Sequence, residues 1–423
     1  MRTLAKEVSQ HIGKEITVQG WVHRIRELGG ISFVLLRDRS GLIQLVFQGS
    51  PDIGHEYVIS ASGKVEASDK AEGGAEIHVS SIEVLAKAEQ DLPIPVNQDP
   101  SQLSIEAILD NRLISLRNPK IRSIFQMQSG LVKYFADYLR SKDFTEIKTS
   151  KLISSGTEGG TGLFEVNYFD NKVYLAQSPQ FYKQAMVASG LERVFEIGMA
   201  YRAEKHDTPR HLNEYVSMDV EMGFIESEHE LMDLEEGILS YIFEETAKNH
   251  ADILNLWGAT VPDPDKVSKI PRIPYDEAKK IASDRAGKKL FELNPEAERV
   301  LCDWAAEEAG IEAVFVHSFP RRARPFYTYP DGRSTKSFDL LFRGLEITTG
   351  GRRINDYNML KEVLPHFGLT EEGLGGYMDI FKYGCPPHGG FAIGLERLTQ
   401  KILGLANVKE ASLFPRDRKR VTP

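Results

Sequence analysis

RVFEIGMAYRAEKHDTPRHLNEYVSMDVEMGF, residues 193–224, sets two apolar, strand-like runs on either side of a polar loop, KHDTPRHLN. Side chains on a strand alternate between its faces, so Arg202 and Glu204 share one face, and Tyr215, Ser217, Asp219 and Glu221 share one face of the returning run. Such a face is too polar for a core, because buried charge is costly unless it is paired. One reading is a solvated sheet face with ion pairs, the ordinary fate of these charges. The other is the floor of a site: a guanidinium for phosphate, a carboxylate for an amine or amide edge, and an aromatic plate on which a base stacks. The density of distinct roles within one hairpin favours the site.

Two later stretches extend it. In SFDLLFRGLEITTGGRRIND (337–356), Asp339 and Glu346 bracket a short turn at Arg343-Gly344, which puts two carboxylates on neighbouring strands. Hard oxygen ligands of this kind suit Mg²⁺ carried by a nucleotide's phosphates, although such a pair alone is more often a surface pair. In HGGFAIGLERL (388–398) a glycine-lined strand runs into a helix with Arg397 in its first turn. Glycine admits close approach to the backbone and a helix start favours anions, a weak signal taken singly.

Around this core, helical spacing of Ile124, Met127, Leu131, Tyr134, Phe135 and Leu139 predicts a helix within 121–144, with further helices at 228–249, 275–286, 295–309 and 395–404. Strands are expected at 193–202, 214–224, 335–342 and 344–349. Strands in runs with helices on one side argue for an α+β domain on a mostly antiparallel sheet flanked by helices. Residues 1–90 are different. Five Val-, Ile- and Phe-rich segments (16–22, 31–37, 42–47, 57–63 and 75–85) are separated by Gly and Asp punctuation, the pattern of a small five-stranded OB-fold β-barrel. The proline-spaced DLPIPVNQDPSQLS (91–104) reads as extended. The expected organisation is therefore a barrel at 1–90, a linker or hinge at 91–115 and the α+β domain at 116–423.

Composition narrows the class. With 41% hydrophobic and 27% charged residues, the 423-residue chain is globular rather than disordered. No apolar run approaches the roughly 18–20 residues that span a bilayer. MRTLAKEVSQHIGKE lacks the apolar segment of a secretory signal, and two cysteines, Cys302 and Cys385, exclude a disulfide framework, so a cytoplasmic setting is expected. Lys and Arg number 52 against 61 Asp and Glu, a net charge of −9, which excludes a generally basic nucleic-acid coat and leaves room for a local patch.

Taken together, RAE (202–204), GLER (394–397) and the helix ending in FTEIKTSKL (144–152) resemble motifs 2, 3 and 1 of the class II aminoacyl-tRNA synthetases. QSPQFYKQ (177–184) narrows the resemblance to the aspartyl branch, and RPFYTYP (324–330) and RHLNEY (210–215) to its short, archaeal-type members; it extends to FPRDRKRVTP (414–423). Two positions depart: Ser150 stands where the family has Pro at the dimer interface, and Asn355 where it has His.

The resemblance implies a homodimeric ligase that joins aspartate to ATP as aspartyl-adenylate and then to the 3′ end of tRNA(Asp) and tRNA(Asn). It implies that Arg202 and Arg397 are catalytic. Nucleotide contacts would come from Arg202, Ala203, Glu204, Arg210, His211, Leu212, Tyr215, Glu346, Gly394, Leu395, Glu396 and Arg397. Mg²⁺ would be served by Asp339, Glu346 and Thr349. Aspartate would meet Glu158, Ser178, Gln180, Phe181, Tyr182, Lys183, Arg202, Asp219, Thr349 and Arg353, with Lys183 and Arg353 as two cations clamping its side-chain carboxylate. Glu158 lies in GTEGGTG (156–162), expected to be a lid over substrate.

For the barrel, the resemblance implies anticodon contacts from His23, Arg26, Glu27, Phe33 and Gln44, with Phe33 stacking a base; the alternative for Phe33 is plain barrel core. Residues 1–90 hold 10 Lys and Arg against 12 Asp and Glu, so any patch is local. His23 is expected where members restricted to tRNA(Asp) carry Trp, which points to acceptance of both tRNAs; Glu72, where relaxed members often carry Pro, points the other way. A relaxed enzyme implies a glutamine-dependent amidotransferase as partner. The rivals are an asparaginyl-tRNA synthetase, against which Lys183 speaks, and a catalytically dead RNA-binding paralogue, against which Arg202, Glu204, Glu346 and Arg397 speak. A free-standing asparagine synthetase has no need of the barrel.

Overall fold

Alternation of apolar and polar residues closes the N-terminal strands on themselves. In a computed structural model, which describes residues 2–71, 73–89, 91–154, 156, 162–205, 208–374 and 376–422, strands β1 (Glu15–Leu28), β2 (Ile31–Arg37), β3 (Leu42–Gln48), β4 (Val58–Ala67) and β5 (Ala75–Ala86) form a closed barrel. Its strand order is β1-β2-β3-β5-β4. The β3–β5 pair is parallel and β4 returns to β1 antiparallel. Val18, Val22, Val34, Leu36, Ile43, Leu45, Ile59 and Ile77 fill the interior. Gly63 marks a tight strand approach: a Cβ there would lie 2.1 Å from the carbonyl oxygen of His78. Glu72 and Glu158 lie outside the described residues.

The segment expected to be a linker is built into the first unit, which runs to Arg122. Ile94 and Val96 are buried, Asn118 Nδ2 donates to the carbonyls of Val96 and Gln98, and helix Ile105–Asp110 is capped by Ser104. Proline spacing makes 91–104 extended, and Ile94 and Val96 give it something to bury.

The second unit, Ser123–Thr422, is organised on an eight-stranded sheet in the order Arg272–Pro274, Ala313–His317, Ser337–Phe342, Leu345–Arg352, His388–Gly394, Glu214–Gly223, Arg193–Tyr201 and Thr145–Glu146. Only the two outermost pairings are parallel. Helix Pro119–Ser141 presents Ile124, Met127, Leu131, Phe135 and Leu139 to a core shared with Phe195, Met218, Val220 and Phe391, and helix His229–Asn249 adds Ile238 and Ile242. Helices do not keep to one side throughout. Phe315, Phe338 and Leu340 join that core, while Val314, Val316 and Leu341 on the opposite face pack under helices Tyr275–Ala286 and Pro295–Ala309. The apolar stretches 313–316 and 340–342 of those two strands reflect this two-sided burial. No helix among the described residues is long and apolar enough to cross a membrane.

One core group makes stability depend on pH. Glu235 is fully buried, accepts a hydrogen bond from Thr348 Oγ1 (2.6 Å), and has no partner for Oε2 among the described residues. Burial pushes its carboxyl from 4.5 up to about 8, with Glu236 and Asp339 adding to the effect. A carboxyl protonated in the fold but ionised in the unfolded chain stabilises fully below its unfolded pKa, and that contribution is lost as pH rises through the folded value. Glu235→Gln keeps the shape and removes the titration. The variant is expected to match the parent's melting temperature at pH 5 and to exceed it by on the order of 5 °C at pH 8.5. Parallel calorimetric pH profiles for the two proteins would contradict this.

Candidate active site

Strand register assembles the site. Asp219 pairs with Ala392, which in turn pairs with Thr349, and Ser217 pairs with Gly394, so these residues and Tyr215 lie on one face of three adjacent strands. That face floors a cavity of about 260 Å³. Helix Gln180–Met186 and the residues before it add Ser178, Gln180 and Lys183. The connection after Tyr201 adds Arg202, Glu204, Arg210, His211 and Leu212, and the start of helix Leu395–Leu403 adds Glu396 and Arg397. Glu346 and Arg353 complete the set of expected lining residues.

Five expected residues do not line the cavity. Phe181 stacks on Tyr377 at 4.1 Å in an aromatic cluster, Tyr182 is half-buried beside it, and Leu395 is core. Ala203 and Asp339 flank the cavity without lining it. Arg324, Tyr327 and Thr328 of RPFYTYP do line it, held by pairing of that segment with Arg353. In the sequence this motif marks the family; an arginine beside aromatics is the signal it offers for a site.

At one end, four charges are locked together. Lys183, 2% exposed, lies 3.0 Å from Asp219 Oδ1 and 3.3 Å from Glu221 Oε2, and its Nζ also reaches the carbonyls of Val220 and Phe391. Arg353 donates from Nε to Glu221 Oε1 (3.0 Å) and from NH2 to the carbonyl of Gly390 (2.9 Å). Burial pushes the Glu221 carboxyl up, but Arg353 and Lys183 outweigh it and hold the group below the usual carboxylate range. The two cations expected to clamp a side-chain carboxylate are thus already paired with two acids of the chain. Gly390 makes the arrangement possible, since a Cβ there would sit 2.2 Å from Glu221 Oε2. Glu221 shares a strand face with Asp219; its role as the hub was not legible, because the partner Gly390 lies far away in sequence.

The other end is rich in arginine. Arg397 NH1 donates to the Glu346 carbonyl (2.9 Å) and meets Glu346 Oε1 at 3.3 Å. Arg210 pairs with Glu298 at 2.6 Å. The Arg202 guanidinium lies 5.5 Å from the centre of the Tyr215 ring. Both oxygens of Glu396 accept the Val216 N–H, and burial pushes its carboxyl up to about 7. Pairing skips Ile347, a bulge that turns Glu346 and Thr349, three apart, toward the same face, with Thr349 Oγ1 3.4 Å from Glu346 Oε1. Asp339 is buried behind them. Its Oδ1 lies 2.8 Å from Arg324 NH2, an ion pair without hydrogen-bond angles, and burial pushes its carboxyl up to about 6. No cluster of three or more His, Cys, Asp or Glu among the described residues forms a metal cage.

In the barrel, Phe33 stays out of the core, whose β2 members are Val34 and Leu36. It stands opposite Arg26 on β1 and Val46 on β3, and Gln44 lies two residues from Val46, so Arg26, Phe33 and Gln44 share an outer face. Gln44 bonds Glu76 (2.7 Å), and exposed Glu27 accepts from Ser50 (2.6 Å). His23, expected to face a base, is largely buried and engaged by Arg37.

Residues 104–418 match the family of class II tRNA synthetases (D, K and N), and residues 16–85 match the OB-fold nucleic acid binding domain. The chain belongs to the class II aminoacyl-tRNA synthetases of the D, K and N group. It is 47% identical, over 100% of both chains, to the aspartate–tRNA(Asp/Asn) ligase of Thermus thermophilus. It is 40% identical, over 99% of each, to the aspartate–tRNA(Asp) ligase of Pyrococcus abyssi. Among solved structures, the asparaginyl-tRNA synthetase of Pyrococcus horikoshii complexed with asparaginyl-adenylate superposes with a TM-score of 0.92 at 30% identity, over 100% of both chains.

Proposed function

We propose that this enzyme activates L-aspartate with ATP to aspartyl-adenylate and transfers the aspartyl group to tRNA(Asp) and tRNA(Asn), as a homodimer in the cytoplasm. The observation that carries the aspartate assignment is Lys183, buried with Arg353 in the lining of the cavity. A carboxylate already ionised needs no protein nucleophile, so the chain's work is positioning and neutralisation of phosphate charge. Arg202 and Arg397 take the phosphates, Tyr215 supports the adenine, and Glu204 meets its amino edge. Ser178, Gln180 and Asp219 receive the α-ammonium.

Glu346 and Thr349 fit a divalent cation that arrives with phosphate oxygens, since Mg²⁺ in nucleotide sites is held by one or two carboxylates plus the substrate. Asp339, with its charge turned to Arg324, supports that pair from behind. Bound Mg²⁺ supplies charge screening of the triphosphate. A second reading, asparagine activation, draws on the balanced charge of the Lys183 cluster and on the solved asparaginyl enzyme. Amino-acid-dependent ATP–pyrophosphate exchange with aspartate and asparagine separates the two, and exchange only with asparagine would overturn the aspartate assignment.

Charging of tRNA(Asn) with aspartate calls for an amidotransferase to convert the product. His23→Trp is expected to lower charging of tRNA(Asn) roughly 10- to 100-fold more than charging of tRNA(Asp), the scale of one base contact. Transcripts of both tRNAs, charged at one salt concentration, check this; a parent that leaves tRNA(Asn) uncharged would remove the relaxed specificity and leave the aspartyl assignment standing.

A further inference from the structure

The β1–β2 ladder pairs Val22 with Leu36 and Arg24 with Leu35, which leaves His23 as the extra residue of a β-bulge. A bulge turns a side chain out of the strand's alternation, and this one turns His23 toward a buried polar chain. His23 Nδ1 lies 2.8 Å from Arg37 NH1. Arg37 grips Glu56 with two bonds, NH1 to Oε1 at 2.9 Å and NH2 to Oε2 at 2.8 Å, and Arg117 NH1 reaches the same carboxylate at 3.0 Å. The Arg37 and Glu56 side chains are 1% and 2% exposed. Glu56 holds a left-handed backbone (φ 60°), and its N–H donates to the carbonyl of Val22, next to the bulge.

A barrel that needed only to be closed would be served as well by apolar residues, since a buried ion pair seldom outweighs its desolvation. What the chain does settle is the histidine's proton. A guanidinium only donates, so Nδ1 must be the acceptor and the proton of the neutral ring sits on Nε2. Burial, and then Arg37, push the ring's pKa down to about 4, which keeps it neutral. Nε2 has no bond to the described residues and is not sealed from solvent.

We propose that Arg37 and Glu56, with Arg117 behind them, are positioning residues that hold His23 as a single Nε2–H donor, and that this donor reads the O2 acceptor shared by cytosine and uracil at the last anticodon base. The proposal rests on the tRNA(Asp) and tRNA(Asn) reading above. Cytosine and uracil differ at N3 and at the N4 or O4 edge, which a lone donor on O2 does not meet; a purine offers no O2, and guanine puts an amino donor on that side.

The test uses full-length protein and four tRNA(Asp) transcripts with C, U, A or G at the last anticodon position. Charging is divided by aspartate-dependent pyrophosphate exchange of the same preparation. The parent is expected to charge the C and U transcripts within about threefold of each other. Glu56→Gln is expected to lower kcat/KM for both roughly tenfold and to change the A and G transcripts less than about twofold. Equal loss on all four transcripts, the mark of a merely structural role, would overturn the proposal. Arg117→Gln, at the outer end of the chain, should give the same pattern more weakly and serves if Glu56→Gln does not fold.

Ring-nitrogen shifts of ¹⁵N-histidine-labelled enzyme, with His23 identified by its loss in His23→Gln, report the lock without tRNA. An Nε2–H signal supports it and an Nδ1–H signal overturns it. A parent that rejects the U transcript defeats the tRNA(Asn) reading and the O2 assignment together, while the nitrogen shifts still decide whether Arg37 and Glu56 hold the tautomer.

Discussion

Lys183→Met is expected to damage both activation and folding, and the two losses separate. Removing the ammonium takes a charge-assisted partner from the substrate carboxylate, a loss of about 2–4 kcal/mol in kcat/KM for aspartate-dependent exchange. It also leaves Asp219 and Glu221, both buried, with less compensation; stripping one partner from a buried pair costs about 3–5 kcal/mol. The double variant Lys183→Met/Glu221→Gln restores neutrality, so it should regain much of the unfolding free energy while exchange stays low. Wild-type efficiency with aspartate in either variant would show that Lys183 does not contact the substrate.

Arg397→Ala is expected to abolish adenylate formation, with a loss on the order of 10³-fold, the scale of removing one preorganised group that faces developing phosphate charge. Its guanidinium spans the Glu346 carbonyl and carboxylate and reaches the Arg210 carbonyl at 3.4 Å, so its loss also loosens Glu346 and the loop bearing Arg210. Arg202→Ala and Glu346→Ala should fail at the same step. Single-turnover measurements distinguish adenylate formation from transfer. Normal adenylate formation with slow transfer to tRNA would place these residues on the wrong half of the reaction.

The elements were largely legible because their signals are local. The expected helix at 295–309 appears as Pro295–Ala309, with Asn294 capping it and Gly310 ending it in a left-handed conformation. The hairpin at Arg343-Gly344 appears with both residues at positive φ. The cavity lining was legible where resemblance supplied it. What sequence did not disclose are relations between distant segments: Glu298 holding Arg210 across 88 positions, Glu221 fitting against Gly390, and the bulge at Ile347 that breaks the two-residue period. Phe181 misled because its neighbours Gln180 and Lys183 face the cavity, while its own place on the helix turns it to Tyr377. The bulge that turns His23 toward Arg37 was not legible either, because it breaks the alternation from which a strand residue's side is read.

The balanced cluster of Lys183, Asp219, Glu221 and Arg353 has a consequence for how this enzyme changes under mutation. Every single substitution that adds or removes charge there leaves an odd charge in a buried place. A path toward a pocket for a neutral side chain therefore passes through a valley: altering the cation first or the acid first is unfavourable, and the pair together is tolerated. Substitutions at these four positions are sign-epistatic, and a library that randomises them one at a time will return only the parent, whereas one that varies a cation and an acid in the same clone will recover folded pockets with new preferences.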